Sequence, residues 1–227
     1  MEKLIYLLTK QERTSIEAFR SHLLERSIEE LRGHGASHIT INVADLNDEI
    51  NANGPGRLIG PWHDLTASIA FWHPYADSCA PITAGLRAIS ASCAGYLVTE
   101  SVPQNCETTW EGGTRRPGVT QFGANGKPQS VSEEDFYRNW QIHSLSSFEL
   151  HPLRWSYVRN AVARPLTEEA PAYRCIVFEH FHSLEDFCDD SRYFGSEDAV
   201  QTMLEEVAGF CDFNNMVSLG MSEYYFA

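Results

Sequence analysis

Two hydrophobic periodicities alternate along the chain. Short segments dominated by apolar residues, or with apolar residues at every second position, predict strands, whereas apolar residues that recur every three or four positions predict helices. The predicted order is strand, helix, strand, strand, helix, strand, and it occurs twice. The predicted elements are 3–9, 14–33, 37–46, 65–73, 79–90 and 94–102 in the first half, and 118–123, 132–149, 154–164, 172–182, 196–209 and 215–226 in the second.

Four short segments of the first half have counterparts in the second half, in the same order. SIEAFR at 15–20 matches SEEDFY at 132–137, and each is a serine followed by an acidic turn, the pattern of a helix N-terminus. The other pairs are ITINVA (39–44) with YVRNAV (157–162), FWHPYAD (71–77) with HFHSLED (180–186), and LVTES (97–101) with GMSEY (220–224). We therefore interpret the chain as a tandem repeat.

The order βαββαβ is that of a ferredoxin-like unit, whose helices cover one face of its sheet and leave the other bare. Two units in one chain can bury these bare faces against each other. The predicted fold class is α+β, with two ferredoxin-like repeats pairing their sheets into one pseudo-dimeric α+β barrel. The repeats are 1–103 and 118–227, and the Gly-, Thr- and charge-rich segment 104–117 is the predicted linker.

The second repeat carries the residues that resemble a known family. Helix 132–149 with Trp140 and His143, the YVRN strand, the segment YRCIVFEHFHSLEDF and the closing SEYYF together resemble the EthD-like family of the dimeric α+β-barrel superfamily. The resemblance covers most of 118–227 and, loosely, 1–103. It implies a pocket between the helices and sheet of a repeat, usually cofactor-free, for aromatic or polyketide-like small molecules. Relatives include dehydratases, cyclases, isomerases and oxygenases, with haem binders further away.

Composition excludes some partners. The 227 residues are 43% apolar, enough for a core, and carry a formal net charge of −14, which argues against nucleic acid or an anionic membrane surface as a partner. The six cysteines lack zinc-ligand spacing and are expected to be reduced and mostly buried. The apolar run Leu4–Leu8 is too short for a signal peptide or a membrane span. The expected location is cytoplasmic, and the expected state is a monomeric pseudo-dimer that could self-associate further.

Helix 132–149 places Phe136, Trp140 and His143 on one stripe. If a pocket lies under this helix, His143 lines it, and apolar neighbours would lower the pKa of its imidazole and suit it to act as a neutral base. The alternative is a half-buried histidine bonded to a backbone carbonyl. In the first repeat Leu23 replaces Trp140 and Arg26 replaces His143, and an arginine stays protonated at neutral pH. The chemistry is therefore expected in the second repeat.

The strand 172–182 is predicted to carry Phe178, His180 and His182 on one face. The H-x-H spacing could chelate a metal if a third ligand, such as His151 or Asp186, converged with it. Because the sequence shows no such convergence, we predict no metal site. Proton transfer or a hydrogen bond to substrate is the preferred role of His180 and His182.

Further residues are expected to bind substrate. Tyr157 and Tyr224 could donate to a substrate carbonyl or enolate, although strand tyrosines commonly serve packing. His73 is the first-repeat counterpart of His182. The long Gly- and Pro-rich loop 47–64 could be a lid that presents Trp62 and His63, or an irregular excursion.

The resulting hypothesis is a small-molecule enzyme acting on a hydrophobic, aromatic or polyketide-like substrate by cofactor-independent proton transfer, as in a dehydratase, cyclase or isomerase. The expected catalytic residues are His143, His180 and His182, and the expected substrate-binding residues are Trp140, Tyr157, Phe178, Tyr224, Trp62 and His73. No cofactor is expected. Two alternatives stay open: a non-catalytic carrier or sensor of a similar ligand, and an oxygenase that is cofactor-free or haem-dependent.

Overall fold

The computed structural model describes residues 1–46, 62 and 64–227. These residues form a closed eight-stranded antiparallel barrel with helices on its outer surface. The strands are β1 (Glu2–Lys10), β2 (Ser37–Val43), β3 (Ala67–His73), β4 (Ser90–Gln104), β5 (Val119–Gly126), β6 (Arg154–Pro165), β7 (Cys175–Phe181) and β8 (Asp212–Phe226). The helices are α1 (Ile16–His22), α2 (Ile28–Gly33), α3 (Ala80–Ile89), α4 (Glu133–Leu150), α5 (Leu184–Cys188), α6 (Asp190–Tyr193) and α7 (Glu197–Ala208), and a π-helical turn (Leu23–Ser27) joins α1 to α2.

The strand order confirms the predicted fold class. Around the barrel the order is β1-β3-β2-β8-β5-β7-β6-β4, with β4 closing on β1. Each half of the chain contributes its strands in the same ferredoxin-like order, β4-β1-β3-β2 in the first and β8-β5-β7-β6 in the second. The two sheets meet at two seams, β2 with β8 (Ile41 opposite Tyr224) and β4 with β6 (Glu100 opposite Asn160). One chain therefore closes the barrel alone.

The central strands are buried on both faces, which explains the uninterrupted apolar run in β1. Leu4 and Leu8 pack under the helices of the first repeat, whereas Ile5 and Leu7 point into the barrel and pack against residues of both repeats. On the outer face of the second sheet, Phe136 and Trp140 of α4 pack against β7 and the segment after α7. The barrel interior and the two helix-covered outer faces thus form separate apolar layers.

The helix starts follow the sequence signals. Ser15 caps α1 through the Ala18 N–H at 3.2 Å, and Ser132 caps α4 through the Asp135 N–H at 3.0 Å. Both are the serines that begin the matched segments SIEAFR and SEEDFY. None of the helices described in the structure has the length and apolar content needed to cross a membrane.

Two regions differ from the expected organisation. The short helices α5 and α6 follow β7 where no helix was predicted, capped by Ser183 and Asp189. The predicted linker 104–117 is hydrogen-bonded to β8. The Gly113 N–H donates to the Tyr225 carbonyl at 2.7 Å, and the Arg116 N–H donates to the Glu223 carbonyl at 2.8 Å. This segment lies along β8, while the boundaries of the two repeats stay a prediction.

Candidate functional site

A cavity of about 310 Å³ lies in the second repeat, between α4, α7 and the outer face of the sheet. Its walls are mostly aromatic, aliphatic and sulfur-containing, with a few polar groups. The lining residues are Gln121, Gly123, Ala124, Asn125, Trp140, His143, His151, Tyr157, Cys175, Val177, Glu179, Tyr193, Met203, Leu204, Val207, Phe210, Cys211, Phe213, Met216 and Ser218. This composition suits an apolar small molecule that is oriented by a few polar contacts.

Small residues on the sheet leave the room for this cavity. Gly123 of β5 and Ser218 of β8 are paired neighbours on the outer face of the sheet. A Cβ atom added at Gly123 would lie 2.9 Å from a methyl group of Val177. The floor of the cavity therefore depends on the missing side chain at this position.

His143 lies on the cavity wall and is paired with a carboxylate. Its Nδ1 atom is 2.9 Å from Oε2 of Glu206 in α7, and the Ser146 hydroxyl donates to the same oxygen at 2.6 Å. The imidazole ring also packs against Phe210 at a centroid distance of 5.4 Å. Since a carboxylate accepts the Nδ1 hydrogen, Nε2 carries the lone pair of the neutral ring, and it has no hydrogen-bond partner among the described residues. The apolar surroundings expected from sequence are thus supplemented by a carboxylate.

Trp140 and Tyr157 also line the cavity and are fixed by neighbours. The guanidinium of Arg159 lies 3.9 Å from the centre of the Trp140 ring, a cation–π contact. The Tyr157 hydroxyl is 3.4 Å from the Ser144 hydroxyl, and burial raises the pKa of Tyr157. Tyr157 therefore remains a neutral phenol at physiological pH.

A second polar cluster lies at the C-terminal end of α4. His151 is buried, its Nδ1 is 3.2 Å from the Tyr193 carbonyl oxygen, and burial lowers its pKa. Nearby, Oε1 of Glu179 is 2.6 Å from Nη1 of Arg154. Burial by itself would raise the pKa of Glu179, but the charge and hydrogen bond of Arg154 together with His151 and His143 outweigh it, and the pKa is lowered. Glu179 stays a carboxylate at neutral pH.

His180 and Phe178 are not part of this cavity, contrary to expectation. Both point into the barrel, on the face of the sheet opposite to His143. His180 is hydrogen-bonded at both ring nitrogens, Nε2 to the Pro117 carbonyl at 2.8 Å and Nδ1 to the Thr120 hydroxyl at 2.7 Å. Burial, together with the charge of Arg116, lowers its pKa to about 3. Because β7 alternates its faces, His180 cannot act beside His143.

His182 also lies away from the cavity. It is exposed at the end of β7 and stacks on Trp155 at a centroid distance of 3.6 Å. Asp186, a suggested third ligand, is paired with Arg192 instead. Within the described residues no group of three His, Cys, Asp or Glu side chains could hold a metal.

Three other expected binding residues are likewise elsewhere. Tyr224 packs into the core under the helices of the first repeat. His73 is buried, with Nε2 2.8 Å from the His34 carbonyl and Nδ1 3.1 Å from the Tyr75 N–H. Trp62 lies in a separate surface depression beside Arg87. His63 and most of the predicted lid, residues 47–61, lie outside the described residues.

The first repeat has no equivalent of the His143 arrangement at the aligned positions. Leu23 is buried in its core and Arg26 is exposed. Two depressions of about 430 Å³ each flank α3, but they are more open to solvent and are bordered by the exposed side chains of Arg87 and Arg164. The cavity lined by aromatic residues and histidines belongs to the second repeat.

The two carboxylates are not evident from the sequence pattern. Alternation along the strand places Glu179 on the face opposite to His180 but indicates no role for it. Glu206 is far from His143 in sequence, and nothing local to α7 distinguishes it from the other acidic residues of that helix. Only the packing of α4 against α7 brings the two together.

Comparison with solved structures identifies the fold as the dimeric α+β barrel type. An anthrone oxidase-like protein matches with a TM-score of 0.60 and 11% identity over 99% of this chain and 92% of its own. A proposed monooxygenase from Lactobacillus acidophilus NCFM matches with a TM-score of 0.54 and 10% identity, over 99% of this chain and 97% of its own. A chlorite dismutase mutant from Candidatus Nitrospira defluvii matches with a TM-score of 0.53 and 9% identity, over 98% of this chain and 90% of its own. No protein-family model and no curated protein matches this sequence.

Proposed function

We propose that the protein is a small-molecule enzyme that removes a proton from a hydrophobic aromatic substrate bound in the cavity of the second repeat. The observation that carries this proposal is the His143–Glu206 pair on the wall of an aromatic cavity. A histidine whose Nδ1–H is held by a carboxylate presents the basic Nε2 in a fixed tautomer. The proposed reaction class is cofactor-independent proton transfer, as in a dehydratase, cyclase or isomerase.

Each residue of the cavity has a role in this proposal. The Nε2 atom of His143 takes the proton from an acidic carbon or hydroxyl group, and the Glu206 carboxylate stabilises the imidazolium that forms. Trp140 and Phe210 provide apolar surface for an aromatic ring. Ser146 keeps the Glu206 carboxylate in position through its hydrogen bond of 2.6 Å.

Anthrone is a suitable probe, because it is aromatic and has an acidic methylene group. One structural neighbour is described as an anthrone oxidase-like protein. In anaerobic deuterated buffer, we expect the protein to accelerate the loss of the methylene proton signal in the NMR spectrum. A panel of aromatic ketones with exchangeable hydrogens on the carbon beside the carbonyl extends the test to other acidic carbon atoms. If no member of the panel exchanges faster with protein than with buffer, and none binds in the cavity, the proposal fails.

A second candidate function, oxygenation, begins with the same proton removal. The neighbours named as a monooxygenase and an anthrone oxidase-like protein favour it. The deprotonated methylene carbon would react with O₂, so that R₂CH₂ and O₂ give R₂C=O and H₂O. Adding air to the anthrone assay distinguishes the two: an oxygenase forms anthraquinone faster than buffer does, whereas a proton-transfer enzyme only exchanges the proton.

The remaining alternatives are separated by simple measurements. A histidine that ligates a metal commonly donates its other N–H to a carboxylate, as His143 does to Glu206. If the protein binds haem, His143 is therefore the residue that would ligate the iron, and the haem would supply redox chemistry. A Soret band in the untagged, purified protein would support that alternative. A non-catalytic carrier would bind the aromatic probes without accelerating exchange in any of them.

A further inference from the structure

We infer that the end of the cavity formed by His151 and Glu179 recognises a hydroxyl group of the substrate as a hydrogen-bond donor. This inference rests on the function proposed above, because it takes the same cavity as the substrate site. It adds a substrate class: an elongated aromatic molecule with a phenolic hydroxyl group at the end away from the group that His143 deprotonates.

The hydrogen bond of His151 fixes which of its nitrogens can accept. Its Nδ1 atom faces the backbone carbonyl of Tyr193 at 3.2 Å, and a carbonyl can only accept, so Nδ1 carries the hydrogen. The ring is packed against Tyr193 and Phe194 and is buried, which favours its neutral form. In this tautomer Nε2 is a lone-pair acceptor, and it has no partner within residues 1–46, 62 and 64–227.

Glu179 adds a second acceptor to the same end of the cavity. One of its oxygens binds Arg154 at 2.6 Å, and the guanidinium of Arg154 is further fixed by the Ser147 hydroxyl at 3.0 Å. The other carboxylate oxygen has no hydrogen-bond partner in the part of the chain that the structure describes. Because Arg154 already balances the negative charge, this site favours a neutral hydroxyl over an ammonium group.

Neighbouring polar groups already donate to protein atoms. The Tyr193 hydroxyl donates to the Gln121 amide oxygen at 2.5 Å, and the Gln121 amide nitrogen donates to Ser218 at 3.0 Å. The Asn125 amide nitrogen donates to the Gly126 carbonyl at 3.0 Å. A substrate carbonyl at this end would face the lone pairs of His151 and Glu179, which repel it, whereas a hydroxyl would satisfy either acceptor.

The separation of the two histidines indicates the length of the ligand. His143 and His151 are eight residues apart along α4 and its C-terminal cap, so their backbone positions are about 12 Å apart along the helix axis. The walls between them include Trp140, Tyr157 and Val177. A ligand that reaches both ends is therefore long, flat and apolar between its polar groups.

The test compares two probes of similar shape, 2-naphthol and 2-methylnaphthalene, by calorimetric or fluorescence titration. We expect wild-type protein to prefer 2-naphthol, and His151→Leu to lower the ratio of the two affinities at least 10-fold, because a site built around a hydroxyl discriminates against an analogue without it. Ile142→Ala, a change on the exposed side of the same helix, is the control and should keep the wild-type ratio. An unchanged ratio in folded His151→Leu would overturn the inference without affecting the role of His143.

A second measurement needs no variant. In the ¹⁵N NMR spectrum of histidine-labelled wild-type protein at neutral pH, His151 should be the neutral Nδ1–H tautomer, and its Nε2 resonance should shift with 2-naphthol but not with 2-methylnaphthalene. An imidazolium, an Nε2–H tautomer, or equal shifts with both probes would overturn the inference, even if His151→Leu does not fold.

Discussion

The hydrogen bonds of each histidine decide whether its ring nitrogens are available for chemistry. His73 and His180 are buried and use both ring nitrogens in hydrogen bonds to protein groups, so they are committed to structure. His143 and His151 each use Nδ1 only, and each lines the cavity. A histidine pattern in sequence cannot make this distinction, because the partners come from segments distant in the chain.

The first prediction concerns Glu206. The Glu206→Gln substitution keeps an oxygen that can accept the Nδ1 hydrogen of His143, but it removes the negative charge that stabilises the imidazolium. We expect kcat for proton exchange to fall about 10–100-fold, the usual effect of losing such a partner, with little change in KM. Ser146→Ala, which leaves the carboxylate itself intact, is the matched control and should lose less. Equal kcat values for Glu206→Gln and wild-type protein would show that the carboxylate does not assist His143.

At the scale of elements, much of the fold could be predicted from sequence. The serine caps at Ser15 and Ser132 and the two periodicities locate the long helices and the strands to within a few residues. The helices α5 and α6 were missed because four or five residues are too few to show a helical period. The two faces of β7 were recognised, but which face is inside the barrel depends on the pairing of whole sheets.

The second prediction concerns the entry into β5. Gly118 has a φ of +98°, and a Cβ atom there would lie 2.1 Å from the Phe181 carbonyl oxygen. Gly118→Ala should therefore force the chain away from β7 and cost more than about 2 kcal/mol of unfolding free energy. Gly33→Ala is the control, since a Cβ atom there has no neighbour within 4 Å. Urea denaturation of both variants checks the expectation, and equal stabilities would refute it.

The whole molecule retains the symmetry of its repeats in the barrel interior. The matched residues Glu100 and Glu223 both face inward, paired with Lys3 and Arg116 respectively. The outer faces differ, because Leu23 packs in the core of the first repeat whereas its counterpart Trp140 lines a cavity in the second. The tandem pattern could predict the shared architecture, but the contents of each interface depend on side-chain packing across distant elements.

The third prediction is a pH dependence of global stability. The pKa of His180 is lowered to about 3 in the folded protein from an ordinary value of 6.5. The unfolded chain therefore binds more protons between these values, and this group's contribution to stability is present above pH 6.5 and lost as the pH falls toward 3. The slope is about 1.4 kcal/mol per pH unit from this group. Urea melts from pH 7 to 4 should show a shallower slope for His180→Gln, and an unchanged slope would contradict the assignment.

The central claim is that His143 transfers protons in the cavity of the second repeat. The most direct test is the rate of anaerobic hydrogen–deuterium exchange of anthrone, or of the panel member that exchanges fastest, with wild-type protein and His143→Asn at equal folded fractions. We expect the asparagine variant to melt close to the wild-type temperature, because Ser146 still binds Glu206 at 2.6 Å. Its exchange rate should fall by about 10²–10⁴-fold, the usual contribution of a positioned base. Equal exchange rates in the two proteins would contradict the claim.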